Sequence, residues 1–424
     1  MPYHISMADT YHTTLLPSYD EALGSVLARV AVLDDESVPL GGALGRVLNE
    51  DVAADRDQPP FDRSAMDGYA VRVGELAADQ SHRIVATIPA GGVADPAIDL
   101  HAGVARIATG AAVPAAYDAV IPVEQAQESA DGQQVSFSTS EVKSGACIHP
   151  CGADAKTGQV LIPSGTLLGA PHIGIAAAVG AVMMTVKQKP CVSLITTGDE
   201  VRPPATASDA LEMQHIRNSN GPMLEAMLRG LGTELMDHVH VVDDPQATRA
   251  AAEEALSKSD LIVTVGGVSA GRRDFLPSVW EELGLETIVK GVAIQPGKPV
   301  LVAQPKNNPE KLVIGLPGNP VSVWATAHLF VWPVVRAMLG LPAALPWRRV
   351  WLSHEIKPNP RREAFRPARL VGETRDQVEM IHWQGSGDLV HTSGSHGFLR
   401  LPAQDQLLQP GSPVRFLPMI GGAL

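Results

Sequence analysis

Four carboxylates occupy positions where a sheet edge or a special loop would expose them: Asp67, Glu200, Asp243 and Asp274. Glu200 ends the run Thr196-Thr197-Gly198-Asp199-Glu200. Asp243 follows the expected strand 239–242, and Asp274 closes a G-G-V-S-x-G-x-x-D spacing that starts at Gly266. The carboxyl ends of strands in a doubly wound sheet face one edge, so Glu200, Asp243 and Asp274 are expected to converge. Convergent carboxylates suit Mg2+, which takes oxygen ligands and bridges phosphates. Taken singly, each is also an ordinary helix N-cap, and Asp243 before Asp244-Pro245 is the best such candidate.

A second set has the opposite character. Gly266 and Gly267 let main-chain N–H groups close on an anionic or flat ligand, and Ser269 adds a hydroxyl. The segments Lys290-Gly-Val-Ala-Ile-Gln295-Pro-Gly-Lys298-Pro and Gly315-Leu-Pro317-Gly318-Asn-Pro320 are stiff Pro/Gly turns. Such turns can fix N–H groups and two ammonium heads around an oxyanion. Cys147-Ile-His149-Pro-Cys151 offers three metal ligands with no second pair elsewhere, one short of a structural zinc set. The chain has neither G-x-S-x-G nor G-x-x-x-x-G-K-[ST], which excludes a nucleophile-elbow hydrolase and an ordinary P-loop nucleotidase.

The elements that must position these residues follow from pattern. Residues 261–265 are a β-branched run, read as a buried parallel strand ending in the glycine pair. Residues 191–195 open a β-α-β-α alternation. Pro222 and Gly232 bracket one helix, residues 239–242 form the next strand, and a helix runs from Asp243-Asp244-Pro245 to Leu256. Strands near Glu286, Val300 and Leu312 are expected to alternate with helices, the last spanning 320–339, in a three-layer α/β domain. Upstream, Ser18-Tyr-Asp-Glu21 has capping-box spacing before an amphipathic helix, and a second short helix is expected after Gly41-Gly42. Strands at 84–88, 104–108, 119–123 and 134–137 make a small β domain inserted into the first. Beyond Pro342, strands at 351–356, 365–370, 378–381 and 414–417 predict a β-barrel-like domain. The fold class is therefore α/β plus β. Its parts are a discontinuous N-terminal linking domain (14–61 and 155–187), the inserted β domain (62–154), the α/β domain (188–341) and the C-terminal barrel (342–424).

With 424 residues the chain exceeds a single core. A hydrophobic content of 45% with 4% aromatic residues describes an Ala/Val/Leu-rich globular enzyme. A net charge of −13 argues against nucleic acid as a partner, because backbone binding needs a basic face. It also means that an anionic ligand must be met by local cations, N–H groups or a divalent metal. The apolar runs 173–186 and 321–335 fall short of about 18 clean residues, so no membrane span is expected. Three cysteines and no export signal agree with a cytoplasmic protein.

Six motifs occur together: F-D-x-S-A-M-D-G-Y-A at 61–70, R-I-x-T-G-x-x-V-P at 106–114, T-G-D-E at 197–200, G-G-V-S-x-G-x-x-D, P-G-K-P and L-P-G-N-P. By them the chain resembles the molybdopterin molybdenumtransferase family, bacterial enzymes similar to the C-terminal domain of gephyrin. The resemblance runs from about Ser18 to the C-terminus. It implies an elongated four-domain subunit, a homodimer with its active cleft between subunits, and cleavage of adenylated molybdopterin to AMP with Mg2+-dependent insertion of molybdate. Contacts with the preceding pterin adenylyltransferase and with client molybdoenzymes are also implied. The functional positions it implies are Asp67, Thr109, Asp154, Glu200, Asp243, Asp274, Lys290, Pro317, Pro320 and Ser395. Two departures remove positive charge near the oxyanion site: Gln295 stands where some members have lysine, and His149-Pro150-Cys151 stands where arginines are common. Two other readings stay open, a pterin adenylyltransferase, which resembles the α/β domain alone, and a non-catalytic pterin-binding scaffold.

Overall fold

The computed structural model describes residues 16–77, 80–138, 141–267 and 275–421. Backbone contacts divide the chain into two compact units, residues 37–186 and residues 1–36 with 187–424.

In the unit of residues 37–186, six strands form one curled sheet in the order Ala119–Pro122, Gly68–Val71, Val104–Ile107, Ser81–Ile88, Gln134–Phe137, Ala126–Glu128. Each of the four strands expected here is present. No helix follows Gly41-Gly42: a single 3-10 turn, Leu40–Gly42, leads into turns and an isolated bridge at Val47. Consecutive glycines cost too much backbone entropy to nucleate a helix there. The apolar run 173–186 divides into the helix Ala170–Ala178 and the strand Met183–Lys187.

The other unit is built on a six-stranded sheet ordered Glu234–Val241, Cys191–Thr197, Leu261–Val265, Leu312–Leu316, Leu301–Pro305, Leu285–Lys290. The first four strands are parallel. Leu261–Val265 sits third, buried at every residue, as its β-branched run requires. From Cys191–Thr197 the chain crosses to one side, to Glu234–Val241, then back past it to Leu261–Val265. The crevice at the carboxyl ends of those strands is a topological switch point, where ligands bind in open α/β sheets.

The last three strands depart from expectation. No helix separates Leu285–Lys290, Leu301–Pro305 and Leu312–Leu316, and Leu301–Pro305 runs antiparallel to both neighbours. The links between them are too short for a crossover helix, so hairpin pairing wins. The expected terminal helix is present but is not uniformly α: Pro320–Thr326 and Trp332–Met338 flank a π segment, Ala327–Val331. A wider turn ahead of Pro333 absorbs the missing proline N–H. This stretch, Pro320–Met338, is apolar and long enough to pass for a membrane span, and 78% of it is buried in the fold.

Beyond it, Glu363–Val371, Gln377–Met380, Arg348–Leu352, Pro413–Pro418 and Gly397–Leu401 close into a barrel, because the last pairs back on the first. Gly397–Leu401 is a strand that periodicity missed. The capping box at Ser18 is real: Glu21 N donates to Ser18 Oγ and Ser18 N to a Glu21 carboxylate oxygen at the start of Tyr19–Leu27.

Candidate functional site

At the switch point lies a cavity of about 700 Å3. Its walls come from four strand ends: Thr196, Thr197 and Glu200 at the end of Cys191–Thr197, Asp243 after Glu234–Val241, Gly266 and Gly267 after Leu261–Val265, and Pro317, Gly318, Asn319 and Pro320 after Leu312–Leu316. Gly266 and Gly267 have φ of 83° and 65°, a region that disfavours side chains. A Cβ on Gly266 would lie 2.7 Å from the Thr197 hydroxyl, so the turn closes down only on glycine.

Two of the three expected metal carboxylates, Glu200 and Asp243, thus face one space. Asp274 and Ser269 lie outside the described residues. Among the described residues no group of three or more His, Cys, Asp or Glu side chains is placed to hold a metal ion. Asp243 is not the N-cap that the sequence suggested. Asp244 is, its carboxylate accepting from Ala247 N at 2.8 Å, while Asp243 N donates to Asp199 Oδ1 at 3.1 Å. Pro245 at the first helical position fixes that register and leaves Asp243 at the cavity wall.

The Gly315–Pro320 turn is tied at two points. Asn220 Nδ2 donates to Gly318 O at 2.7 Å, and Asn319 Nδ2 donates to Ser386 Oγ at 2.9 Å. Asn218, Asn220 and Asn319 line the cavity and were not singled out from the sequence, although Asn319 stands inside L-P-G-N-P. Amides offer a donor and an acceptor together, the pattern that a heteroaromatic ring edge requires.

A second cavity, of about 460 Å3, shares Pro299, Pro317, Gly318 and Asn319 with the first. Gln295, Lys298, Arg362, Arg366 and Trp383 line it. Gln295 does not stand in for a lost cation: its Oε1 accepts from Asn359 Nδ2 at 2.7 Å and from Arg366 Nη2 at 3.4 Å. The Arg366 guanidinium carbon lies 5.4 Å from the centre of the Trp383 ring. Burial makes the Arg366 charge more costly than in water. Arg362 and Arg366, like the three asparagines, were not singled out from the sequence. Lys290 ends its strand exposed and lines neither cavity. Ser395 is buried, its hydroxyl without a partner among the described residues, and it too lines neither.

In the unit of residues 37–186, Thr109 grips Asp67. Its N and Oγ1 donate to Asp67 Oδ1 at 2.6 and 2.9 Å. The backbone donor, then the hydroxyl, hold the exposed Asp67 carboxyl below its usual pKa. Asp154 pairs with His149, Oδ1 to Nε2, at 2.7 Å. Cys147 and Cys151 carry free thiols.

Residues 17–180 match the family described as MoeA N-terminal region (domain I and II), and residues 193–337 match the probable molybdopterin binding domain. A molybdopterin molybdenumtransferase of Synechococcus elongatus is 35% identical over 408 residues, which cover 94% of this chain and 99% of that one. One from Bacillus subtilis is 31% identical over 406 residues, 94% and 93% of the two chains. The crystal structure of a molybdopterin biosynthesis MoeA protein from Pyrococcus horikosii superposes with a TM-score of 0.79 at 31% identity, covering 96% of this chain and 100% of that one.

Proposed function

This chain belongs to the molybdopterin molybdenumtransferase family, transferases of molybdenum cofactor biosynthesis, and on that premise we propose that it inserts molybdate into adenylated molybdopterin with release of AMP. The observation that carries the reading is the pair of adjoining cavities. One has carboxylates and amides on its walls, the other a lysine and two arginines, and the Pro317-Gly318-Asn319 turn forms the wall common to both.

In this reading the pterin and its phosphates occupy the larger cavity. Gly267 approaches the phosphates with its main-chain N–H, the Gly266 N–H being taken by the Leu316 carbonyl at 3.1 Å, and Asn218, Asn220 and Asn319 orient the ring edge. Molybdate, a dianion, is held in the smaller cavity by Lys298, Arg362 and Arg366, beside the dithiolene that attacks it. Glu200 and Asp243, with Asp274 of the glycine motif, have the hard oxygen donors that fit Mg2+ and would hold it, where it offsets charge on the phosphoanhydride. The family resemblance implies Lys290 and Ser395 as further oxyanion contacts, but neither lines the cavity proposed for molybdate, and this reading does not depend on them.

Asp67 is ionised well below neutral pH, so it suits accepting a hydrogen bond or holding a cation rather than donating a proton. We read Asp67, Thr109 and Asp154 as contributed to the cleft by a second subunit of a homodimer, and the chain as four domains divided at 61/62, 154/155, 187/188 and 341/342.

The deciding experiment is a single turnover with adenylated molybdopterin, Mg2+ and molybdate, following AMP release and activation of a cofactor-free molybdoenzyme. Both signals are expected, and both are expected to vanish in Asp274→Ala. Tight binding of the adenylated pterin with neither signal would instead establish a carrier.

A further inference from the structure

From the wall of the larger cavity, at Thr196 and Asn218, a chain of side chains runs inward, and of these the proposed reaction uses Asn218 alone. Thr196, 2% exposed, is its centre. Its Oγ1 lies 3.2 Å from Asn218 Nδ2, 3.2 Å from His238 Nε2 and 3.1 Å from His240 Nδ1. At the far ends, His238 Nδ1 is 2.7 Å from one Glu225 carboxylate oxygen, whose other oxygen takes exposed Arg229 Nη2 at 3.4 Å, and His240 Nε2 is 3.1 Å from the Gly198 carbonyl.

Counting hydrogens assigns every donor. Asn218 Oδ1 accepts from Gly221 N at 2.9 Å, which fixes the amide so that its Nδ2 donates to Thr196. The Gly198 carbonyl can only accept, so His240 carries a proton on Nε2; its burial disfavours a second proton, and with the ring neutral its Nδ1 accepts from the threonine hydroxyl. That hydroxyl has one hydrogen, now used, and one remaining lone pair. His238 Nε2 must therefore donate to it, while His238 Nδ1 faces a carboxylate. The contacts are all satisfied only if the His238–Glu225 pair holds one proton more than a neutral imidazole beside a carboxylate. The higher reference pKa of imidazole places that proton on the ring.

We propose that His238 is an imidazolium, held by Glu225, and that through Thr196 and His240 it positions the Gly198 carbonyl and with it the turn that carries Glu200 into the cavity. His238 is thus a positioning residue rather than a catalytic one. This rests on the reading of the cavity as the active site for its functional part only. The ring's seat is built for it. A Cβ on Gly221 would come within 2.1 Å of His238 Cε1, so only glycine at the start of the Asn220–Gly230 helix admits the imidazole. Burial holds His240 below its usual pKa, in keeping with its neutral role.

The test is nitrogen-15 histidine spectroscopy of the whole protein near neutral pH, together with backbone amide shifts of residues 198–200. Expected are both ring nitrogens of His238 protonated, and His240 protonated on Nε2 alone. A neutral His238 in the wild-type protein would overturn the assignment. Glu225→Gln keeps the hydrogen-bond acceptor and removes the charge. It is expected to strip the proton from His238, move the amide signals of 198–200, and lower turnover about tenfold with less than about a twofold change in KM. Thr196→Ser, which preserves the hydroxyl, should retain the wild-type spectrum. Amide signals that stay in place while His238 loses its proton would overturn the positioning role. Because the spectra need no turnover, they decide the network even if the protein releases no AMP.

Discussion

Arg366 illustrates how a charge is held ready in a poor place for one. Its guanidinium stacks over Trp383 and donates toward Gln295 rather than to a carboxylate, so its charge is desolvated but not neutralised. A dianion entering the smaller cavity would meet that charge at low dielectric, where the attraction is strongest. Arg366→Ala is therefore expected to raise the dissociation constant for molybdate at least about tenfold and to leave binding of adenylated molybdopterin within about twofold, both measurable by calorimetry. This residue was invisible in the sequence because Gln295 and Arg366 are 71 positions apart and only the parallel pairing of Ile294–Gln295 with Glu363–Val371 brings them together. Glu200 and Asp243 were legible as cavity-wall residues for the opposite reason: a strand end followed by a turn or a cap announces its own direction. His328 shows a second single-residue effect. It is fully buried, its Nε2 accepts from Ile420 N, and burial pushes its pKa down to about 4. The unfolded chain binds that proton near pH 6.5, so the stabilising contribution is whole above that value, shrinks as pH falls, and is gone below about 4. The span amounts to roughly 3 kcal/mol at most. Urea midpoints of the wild-type protein should fall across this window more steeply than those of His328→Gln, which has no ring to titrate.

Adjacent aspartates at the start of the Pro245–Lys258 helix do different work, and the helix decides which does what. Pro245 at its first position makes Asp244 the residue whose carboxylate reaches Ala247 N, and the neighbouring Asp243 side chain faces the cavity. Asp244→Ala should cost about 1 kcal/mol of stability and leave AMP release near wild type. Asp243→Asn should do the reverse, with an unchanged denaturation midpoint and AMP release reduced by two orders of magnitude or so. Paired midpoints and single-turnover rates on the two variants check the division, and a loss of rate in Asp244→Ala alone would reverse it. Sequence pattern placed this helix correctly but chose the wrong cap, because Asp-Asp-Pro satisfies the capping rule at either aspartate. The parallel strands were legible from their apolar runs. The hairpins at 285–316 were not, since an apolar run of five residues does not say whether its neighbour returns beside it directly or through a helix. Gly397–Leu401 escaped because its sequence, Gly-Phe-Leu-Arg-Leu, lacks clean alternation even though it is almost wholly buried in the barrel.

At the scale of the molecule the question is how a chain of net charge −13 handles anionic substrates. Its answer is local: a lysine and two arginines are gathered in the smaller cavity, beside the carboxylates and the glycine turn of the larger one. The proposed homodimer takes Asp67 and Thr109 as one set of cleft residues and Glu200 and Asp243 as a second. If the second set comes from one protomer and the first from its partner, two inactive proteins should repair each other. Asp67→Ala and Glu200→Gln are each expected to abolish AMP release as pure homodimers. After subunit exchange in equal amounts, half of the dimers are mixed, and each mixed dimer carries one site with both residues native. Activity should then return to about a quarter of the wild-type value, the ceiling set by a twofold-symmetric dimer with two composite sites. A site assembled within one protomer has no such route, because every chain still carries one of the two substitutions, and the exchanged mixture would stay silent. The recovered fraction therefore reads out, in one assay, both the dimer and the crossing of the active site between its subunits.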